Sequence, residues 1–228
     1  MDLTTSYRAA LPAEVLERYE LRETRNASAI LAATSGKEFT EVIQVLTEFE
    51  LTTHDLVSAG GNESRLAHRL NDAFRALGWR EARVDTRIES VLRIMPYRPS
   101  GEIDARELKS EVSNQGYKVD NIKGRIAVDV EWNAKDGNLD RDVGAYRAFY
   151  EMGTIDGAVL ITRTHDDLRE LAQRLALAAG FDEQEARKRL NTTTTTNIGK
   201  LLPRMTRGDG GGCPILAVAI SARCWRGS

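Results

Sequence analysis

Apolar residues recur at three- and four-residue spacings through most of the first eighty positions. Residues 11–30 and 38–49 carry that helical period, and Thr53-His54-Asp55 has the composition of a helix start, so residues 7–58 read as helices. Gly60-Gly61 interrupts the pattern and Asn62 is a good N-cap. Leu66, Leu70, Phe74 and Leu77 then mark one buried stripe, which Gly78 closes. After this the period changes. Residues 83–94 suggest a strand or a mixed segment, and 96–105, with two prolines and a glycine, is the most loop-like stretch. Residues 117–122 and 126–132 flank Lys123-Gly124-Arg125 and predict a β-hairpin.

The second arm of that hairpin alternates with period two. Ile126, Val128, Val130 and Trp132 point one way, and Ala127, Asp129 and Glu131 the other. A helix is predicted over 140–153, with Val143, Tyr146, Phe149 and Met152 on one side. The uniformly apolar GAVLIT at 157–162 follows, as expected of a strand covered on both faces. Strand, helix and buried strand in that order predict a βαβ unit and hence a parallel pair. Further helices are expected at 166–179, 183–190 and 198–203, a flexible RGDGGG at 207–212, and a last apolar strand at 214–220. The expected architecture is a mixed α/β core with a helical N-terminal part. It forms one domain, with 1–80 mainly helical and 81–228 holding the sheet.

Composition narrows the class without naming it. The chain has 228 residues, 41% hydrophobic and 29% charged, enough to bury a substantial core. A formal net charge of −2 does not announce a nucleic-acid binder, although a basic cleft can sit on a neutral protein. The sequence contains no apolar run long enough for a membrane span and no signal-peptide pattern, so a cytoplasmic protein is expected. Cys213 and Cys224 lack metal-ligand spacing and read as reduced structural thiols. His54, His68 and His165 are scattered, and neither a P-loop nor a dinucleotide fingerprint is present, so no small-molecule cofactor is expected.

The hairpin carries the candidate chemistry. Asp129 and Glu131 share a face, and a tight turn brings Asp120 on the other arm beside them. Adjacent acids repel unless a cation or a proton offsets the repulsion. One reading is a solvated strand face. The other is a site for a hard divalent cation, Mg²⁺ or Mn²⁺, with the Val130 carbonyl as a further ligand and Glu131 placed to orient or deprotonate a water. An apolar opposite face and the adjoining βαβ unit raise the second to equal standing with the first.

The stretch VDNIKGRIAVDVEWNAKDGNLDRDVGAYRAFYEMGTIDGAVLITR resembles the BglII/BstYI-type restriction endonucleases of the PD-(D/E)XK nuclease superfamily. TTTTTNIGKLLPRMTRGDGGGCPILAV and AGGNESRLAHRLNDAFRALGWRE are similar to that group as well, and the resemblance spans about residues 19–220. It implies a mixed central sheet flanked by helices and a Mg²⁺-dependent cut in double-stranded DNA. It assigns Asp120 as first metal-binding acid, Asp129 as second, and Glu131 to the position that lysine holds in most of the superfamily. The helix after Gly60-Gly61 would contribute Asn62 or Glu63, although first-turn complementarity to the helix dipole explains Glu63 equally well. Asn133, Lys135 and Asp136 leave the catalytic strand toward the scissile phosphate, or form an ordinary turn. The run Thr192, Thr193, Thr194, Thr195, Thr196 and Asn197 is either a polar surface loop or, as the resemblance favours, a reader of base edges. Lys200, Arg204 and Arg207 would hold phosphates behind it. The implied protein is a homodimer on a palindrome with a GATC centre, AGATCT or RGATCY. The alternatives are a structure-selective or repair nuclease of the same superfamily and a non-catalytic DNA-binding protein.

Overall fold

Uniformly apolar strands need partners at both edges and cover on both faces, and the chain order supplies them. The computed structural model describes residues 1–57, 65–191 and 193–227. The first part runs β1 (Leu3–Thr4), α1 (Tyr7–Ala10), α2 (Ala13–Arg18), β2 (Tyr19–Thr24), α3 (Ala27–Thr34), α4 (Gly36–Glu48), α5 (Thr53–Val57) and α6 (Arg65–Ala76). β3 (Arg80–Arg83), β4 (Thr86–Ile94), β5 (Arg106–Asn114), β6 (Lys118–Lys123) and β7 (Ile126–Val130) follow. The remainder is α7 (Gly137–Glu151), β8 (Gly157–Arg163), α8 (Asp166–Ala178), α9 (Glu183–Arg187), α10 (Ile198–Arg207) and β9 (Ile215–Ile220). By internal contacts the chain divides into two compact units, Met1–Ala82 with Lys118–Ser228, and Arg83–Tyr117.

The larger unit is built on a seven-stranded mixed sheet of order β1-β2-β9-β8-β7-β6-β3. β7, β8 and β9 run parallel, β2 is antiparallel to β9, and β6 is antiparallel to β7. The βαβ unit forms as expected, with Val128 opposite Val159. Side chains on the two faces differ in size. Val128, Val130, Val159, Ile161, Leu216 and Val218 pack into one cluster with Leu31, Phe39, Leu46, Leu66, Leu70 and Phe74 from the N-terminal helices. The other face presents the smaller Ala127, Ala158, Ala217 and Ala219 beside Leu160, all buried. Those small residues let α7 approach closely with Leu139, Val143, Tyr146 and Phe149, each at most 1% exposed.

Four expectations are corrected. Residues 11–30 are not one helix: β2 interrupts them, because Tyr19, Leu21 and Glu23 also satisfy a two-residue period. Pairing of Tyr19 with Ile220 through Glu23 with Leu216 satisfies one edge of the apolar β9, which helical spacing could not do. The helix expected at 198–203 continues to Arg207 despite Pro203, since Ile198, Leu201 and Met205 bury one stripe. Met152 caps α7 and is 43% exposed instead of completing its buried stripe. The RGDGGG segment, expected as a flexible stretch, is a turn packed closely on its neighbours. A Cβ on Gly210 would meet Ile215 Cδ1 at 2.7 Å, and one on Gly212 would meet Tyr150 at 3.0 Å, so glycine permits close packing there.

The smaller unit is a two-stranded antiparallel ribbon paired from Thr86 opposite Asn114 to Ile94 opposite Arg106. Gly116 follows β5 under a strict steric demand, because a Cβ there would lie 1.6 Å from the Val84 carbonyl oxygen.

Candidate active site

The β6–β7 hairpin turns through Gly124 and Arg125, with Lys123 opposite Ile126. Gly124 takes φ +53°, which suits a two-residue hairpin turn and is cheap only for glycine. Continuing that register sets Asp120 against Asp129, and the Asp120 amide donates to Asp129 Oδ1 at 2.7 Å. Asp129 is 3% exposed and Glu131 5% exposed, while Asp120 is partly buried. The solvated-face reading of the two acids on β7 therefore does not hold.

Sequence reasoning missed the fourth carboxylate. Asp142 on α7 is 1% exposed, and its charge bears on both Asp129 and Glu131. Its signal was present: Leu139, Asp142, Val143, Tyr146 and Phe149 recur at helical spacing, so an acid occupies a position on the buried stripe. Arg141 spans two of the acids, at 2.9 Å from Asp142 Oδ1 and 3.5 Å from Glu131 Oε1. Asn138 Nδ2 donates to Glu131 Oε2 at 3.4 Å. Tyr146 donates to the Val159 carbonyl at 3.4 Å and lies close enough to Asp129 for each to perturb the other.

Burial of so many acids shifts their titration. Desolvation, followed by the charges of Asp142 and Asp120, pushes Asp129 up to about 8. Desolvation, followed by the charge of Glu131, pushes Asp142 up to about 8 as well. Glu131 is raised too, because desolvation outweighs the stabilising contacts from Asp142, Asn138 and Arg141. Among the described residues, Asp129 Oδ2 and Asp142 Oδ2 are buried with no hydrogen-bond partner. Hard oxygen donors, some orphaned and mutually repelling, fit a divalent cation of the Mg²⁺ or Mn²⁺ kind. As placed, no group of three acidic, histidine or cysteine side chains among the described residues could hold a metal ion, so the fit lies in donor chemistry and not in a finished cage.

The loop after β7 is held by the threonine run. Thr196 Oγ1 and Thr162 Oγ1 donate to the Glu131 carbonyl at 2.9 and 3.1 Å. The Thr196 amide donates to the Ala134 carbonyl at 2.9 Å, the Asp136 amide to the Thr194 carbonyl at 2.9 Å, and Lys135 bridges Thr195 antiparallel. Arg163, buried at the end of β8, donates to Thr195 Oγ1 at 3.0 Å. Asn197 caps α10 by accepting from the Lys200 amide at 3.1 Å. Thr196 and Asn197 are thus buried, while Thr193 and Thr194 are exposed.

The expected phosphate-holding cations have intramolecular partners. Lys200 donates to Asp136 Oδ2 at 3.1 Å and to the Thr193 carbonyl. Arg204 grips Asp140 through two bonds of 2.7 Å, and Arg207 pairs with Asp209. Lys135 is exposed, and Asn133 adopts φ 57° with its Oδ1 buried and without a partner among the described residues. Val130 lies buried between Asp129 and Glu131. Asn62, Glu63 and Thr192 lie outside the described residues.

A mixed sheet flanked by helices, with acids gathered about the end of one of its parallel strands, describes a nuclease of the restriction-endonuclease class. A family model, Restriction endonuclease BglII/BglIII, matches residues 19–220, and the chain belongs to that family. It is accordingly a type II site-specific deoxyribonuclease whose partner is DNA, and restriction endonucleases of this kind generally use divalent metals. A search of curated proteins found no match. Among the described residues, no helix is long and apolar enough to cross a membrane.

Proposed function

We propose that the protein hydrolyses one phosphodiester in each strand of a short DNA palindrome, acting as a homodimer with Mg²⁺ and leaving 5′-phosphate ends. Mn²⁺ substitutes for Mg²⁺. The recognised sequence has a GATC centre, AGATCT or RGATCY, and the protein works in the cytoplasm. The observation that carries the reading is the buried cluster of Asp129, Glu131 and Asp142, with two orphaned carboxylate oxygens, beside the partly buried Asp120. Family membership supplies the reaction class.

Asp120 and Asp129, with the Val130 carbonyl, would hold the metal. When bound, it stabilises charge on the phosphoryl oxygens and lowers the pKa of a bound water. Glu131 faces the same side as Asp129, and there it would orient the attacking water or take its proton at Oε2, where Asn138 steadies the carboxylate. The water oxygen bonds to phosphorus, the bond to O3′ breaks, and the released 3′ oxygen takes a proton from solvent. Glu131 cannot supply the positive charge that lysine provides elsewhere in the superfamily, and it would hold a second metal where two are used. Asn62 or Glu63 completes the site.

DNA is read by the exposed Thr193 and Thr194 and their neighbour Thr192. Thr195, Thr196 and Asn197 brace that loop against the catalytic strand. Asn133, Lys135 and Asp136 lie along the DNA. Lys200, Arg204 and Arg207 reach phosphates by leaving their acidic partners, an exchange that neutralises the backbone and makes binding salt-dependent.

Plasmid digestion tests the reading. Unmethylated plasmid with Mg²⁺ gives discrete fragments, and sequencing the ends returns the site. Chelator or Asp129→Ala gives none. Folded protein that yields no fragments with Mg²⁺ or Mn²⁺, or a smear in place of bands, overturns it.

A further inference from the structure

The β4–β5 ribbon is the largest feature that the catalytic reading leaves unused. Its register separates two faces. One carries Ile88 opposite Val112, Ser90 opposite Ser110, Leu92 opposite Leu108 and Ile94 opposite Arg106. The other carries Arg87, Glu89, Val91 and Arg93 opposite Ser113, Glu111, Lys109 and Glu107. Charges on this second face are matched within the ribbon, Arg87 to Glu111 and Arg93 to Glu107, each at 2.9 Å. The apolar face has no such internal match: Ile88 is 56% exposed, Leu92 60%, Leu108 59% and Val112 51%. A two-stranded ribbon alone is marginal in water, and an aliphatic stripe on the order of 400 Å², interrupted by the Ser90–Ser110 pair, marks an interaction surface.

Three properties choose the occupant. Between 83 and 117 the chain has six basic and six acidic residues, so the ribbon offers a phosphate backbone no net attraction. The stripe is close to symmetric about Ser90 and Ser110, with an aliphatic pair on each side. A two-fold axis through the serine pair therefore lays aliphatic pairs on aliphatic pairs and small residues on small ones. Its area is about half of the roughly 800 Å² that each partner contributes to a stable interface, as expected of an apolar centre whose remainder is polar rim.

We infer that the apolar face of β4–β5 packs on the same face of a second copy of this chain, about a two-fold axis near Ser90 and Ser110. The inference deepens the homodimer reading above and rests on it.

Analytical ultracentrifugation over a concentration series tests both. The wild type is expected at twice the 25.3 kDa chain mass. Ile88→Glu with Leu92→Glu weakens the dimer by about 100-fold, since charge is forced into its centre. Arg87→Glu, on the charged face, leaves it unchanged. Circular dichroism and thermal melting check that the core stays folded. If the double variant does not fold, Ser90→Cys replaces it. Both native cysteines are buried, so a short bismaleimide reports on the new thiol alone. Covalent dimer from Ser90→Cys but not from a Glu89→Cys control supports the inference, and equal yields overturn it. A wild type that is monomeric at every concentration removes the homodimer reading and the inference together. A wild-type dimer that the double variant does not weaken removes the inference alone. An unweakened dimer with reduced DNA retention assigns the face to DNA and overturns the inference too.

Discussion

Two hairpins follow each other in sequence and differ in where their side chains find partners. In β6–β7 every residue of the second arm is buried, acids included, and the polar groups are answered from distant elements: Asn138, Arg141, Thr162 and Thr196. In β4–β5 every position but the half-buried Thr86 is exposed, and Arg87 and Arg93 are answered by neighbours within the ribbon. Burial is what makes carboxylates on a strand chemically useful, because desolvation raises their pKa values and strengthens their hold on a cation. Exposure leaves the second hairpin electrostatically inert but with an apolar face to cover. Substitutions in β6–β7 should therefore have large effects of both signs, and those on the charged face of β4–β5 almost none.

The largest effect is expected at Asp129. Asp129→Asn should lower Mg²⁺-dependent cleavage by on the order of 10³-fold, while DNA retention in Ca²⁺ stays close to wild type. Retained cleavage would remove Asp129 from the site. Lys123 comes next. Its Nζ reaches both Glu41 oxygens at 2.6 and 2.7 Å and the Leu77 carbonyl at 2.7 Å, and Trp79 Nε1 donates to the same carboxylate. Burial alone would raise Glu41, but the bonds from Lys123 and Trp79 hold it below the usual range. Lys123→Ala should cost about 2 kcal/mol in urea melts, because it leaves a partly buried carboxylate short of a partner.

Asp142 carries the opposite sign. An acid with its folded-state pKa above the unfolded value keeps a proton that the unfolded chain has released. Its stabilising share is full below about pH 4 and is lost as pH rises through about 8. Metal-free wild type should therefore melt progressively lower between those values. Asp142→Asn should flatten the dependence and add on the order of 2 kcal/mol at pH 8. Mg²⁺ should restore stability to the wild type, and less to the variant. The same protons compete with metal, so raising Mg²⁺ should move the acidic limb of the cleavage profile to lower pH. A pH-independent melting temperature for the wild type would contradict the buried-acid account.

The sequence made β7 legible because alternation needs only neighbouring residues: Ile126, Val128 and Val130 on one face implied Asp129 and Glu131 on the other. Asp142 was harder. Its place on the α7 stripe could be read locally, but its meeting with Glu131 depends on small Ala127 and Ala158 letting that helix approach. β2 was misread because Tyr19 and Leu21 fit two periods, and only pairing with β9 decides between them. The threonine run was legible as unusual but not as a brace, since Thr196 meets Glu131 across 65 residues. Long-range contacts of that kind leave no spacing to count. The brace is itself testable: Thr196→Val should cost about 1 kcal/mol and lower cleavage several-fold by loosening the Glu131 backbone. Thr162→Val shares the same acceptor, so the two should not add.

The smallest effect sharpens the comparison most. Arg93 Nε lies 2.9 Å from Glu107 Oε1, a separation close to that of Lys123 and Glu41. Distance alone would predict similar effects for the two lysine and arginine truncations. The side chains differ in exposure, 68% and 41% for Arg93 and Glu107 against 25% and 14% for Lys123 and Glu41. Water already solvates the first pair and screens its attraction, so Arg93→Ala should change stability by no more than about 0.5 kcal/mol. High salt should leave that small difference unresolved, while the loss in Lys123→Ala persists, because a partly buried pair is screened less. Equal losses from the two substitutions would mean that the charged face of β4–β5 is covered in solution, and the apolar face would no longer be the one that needs a partner.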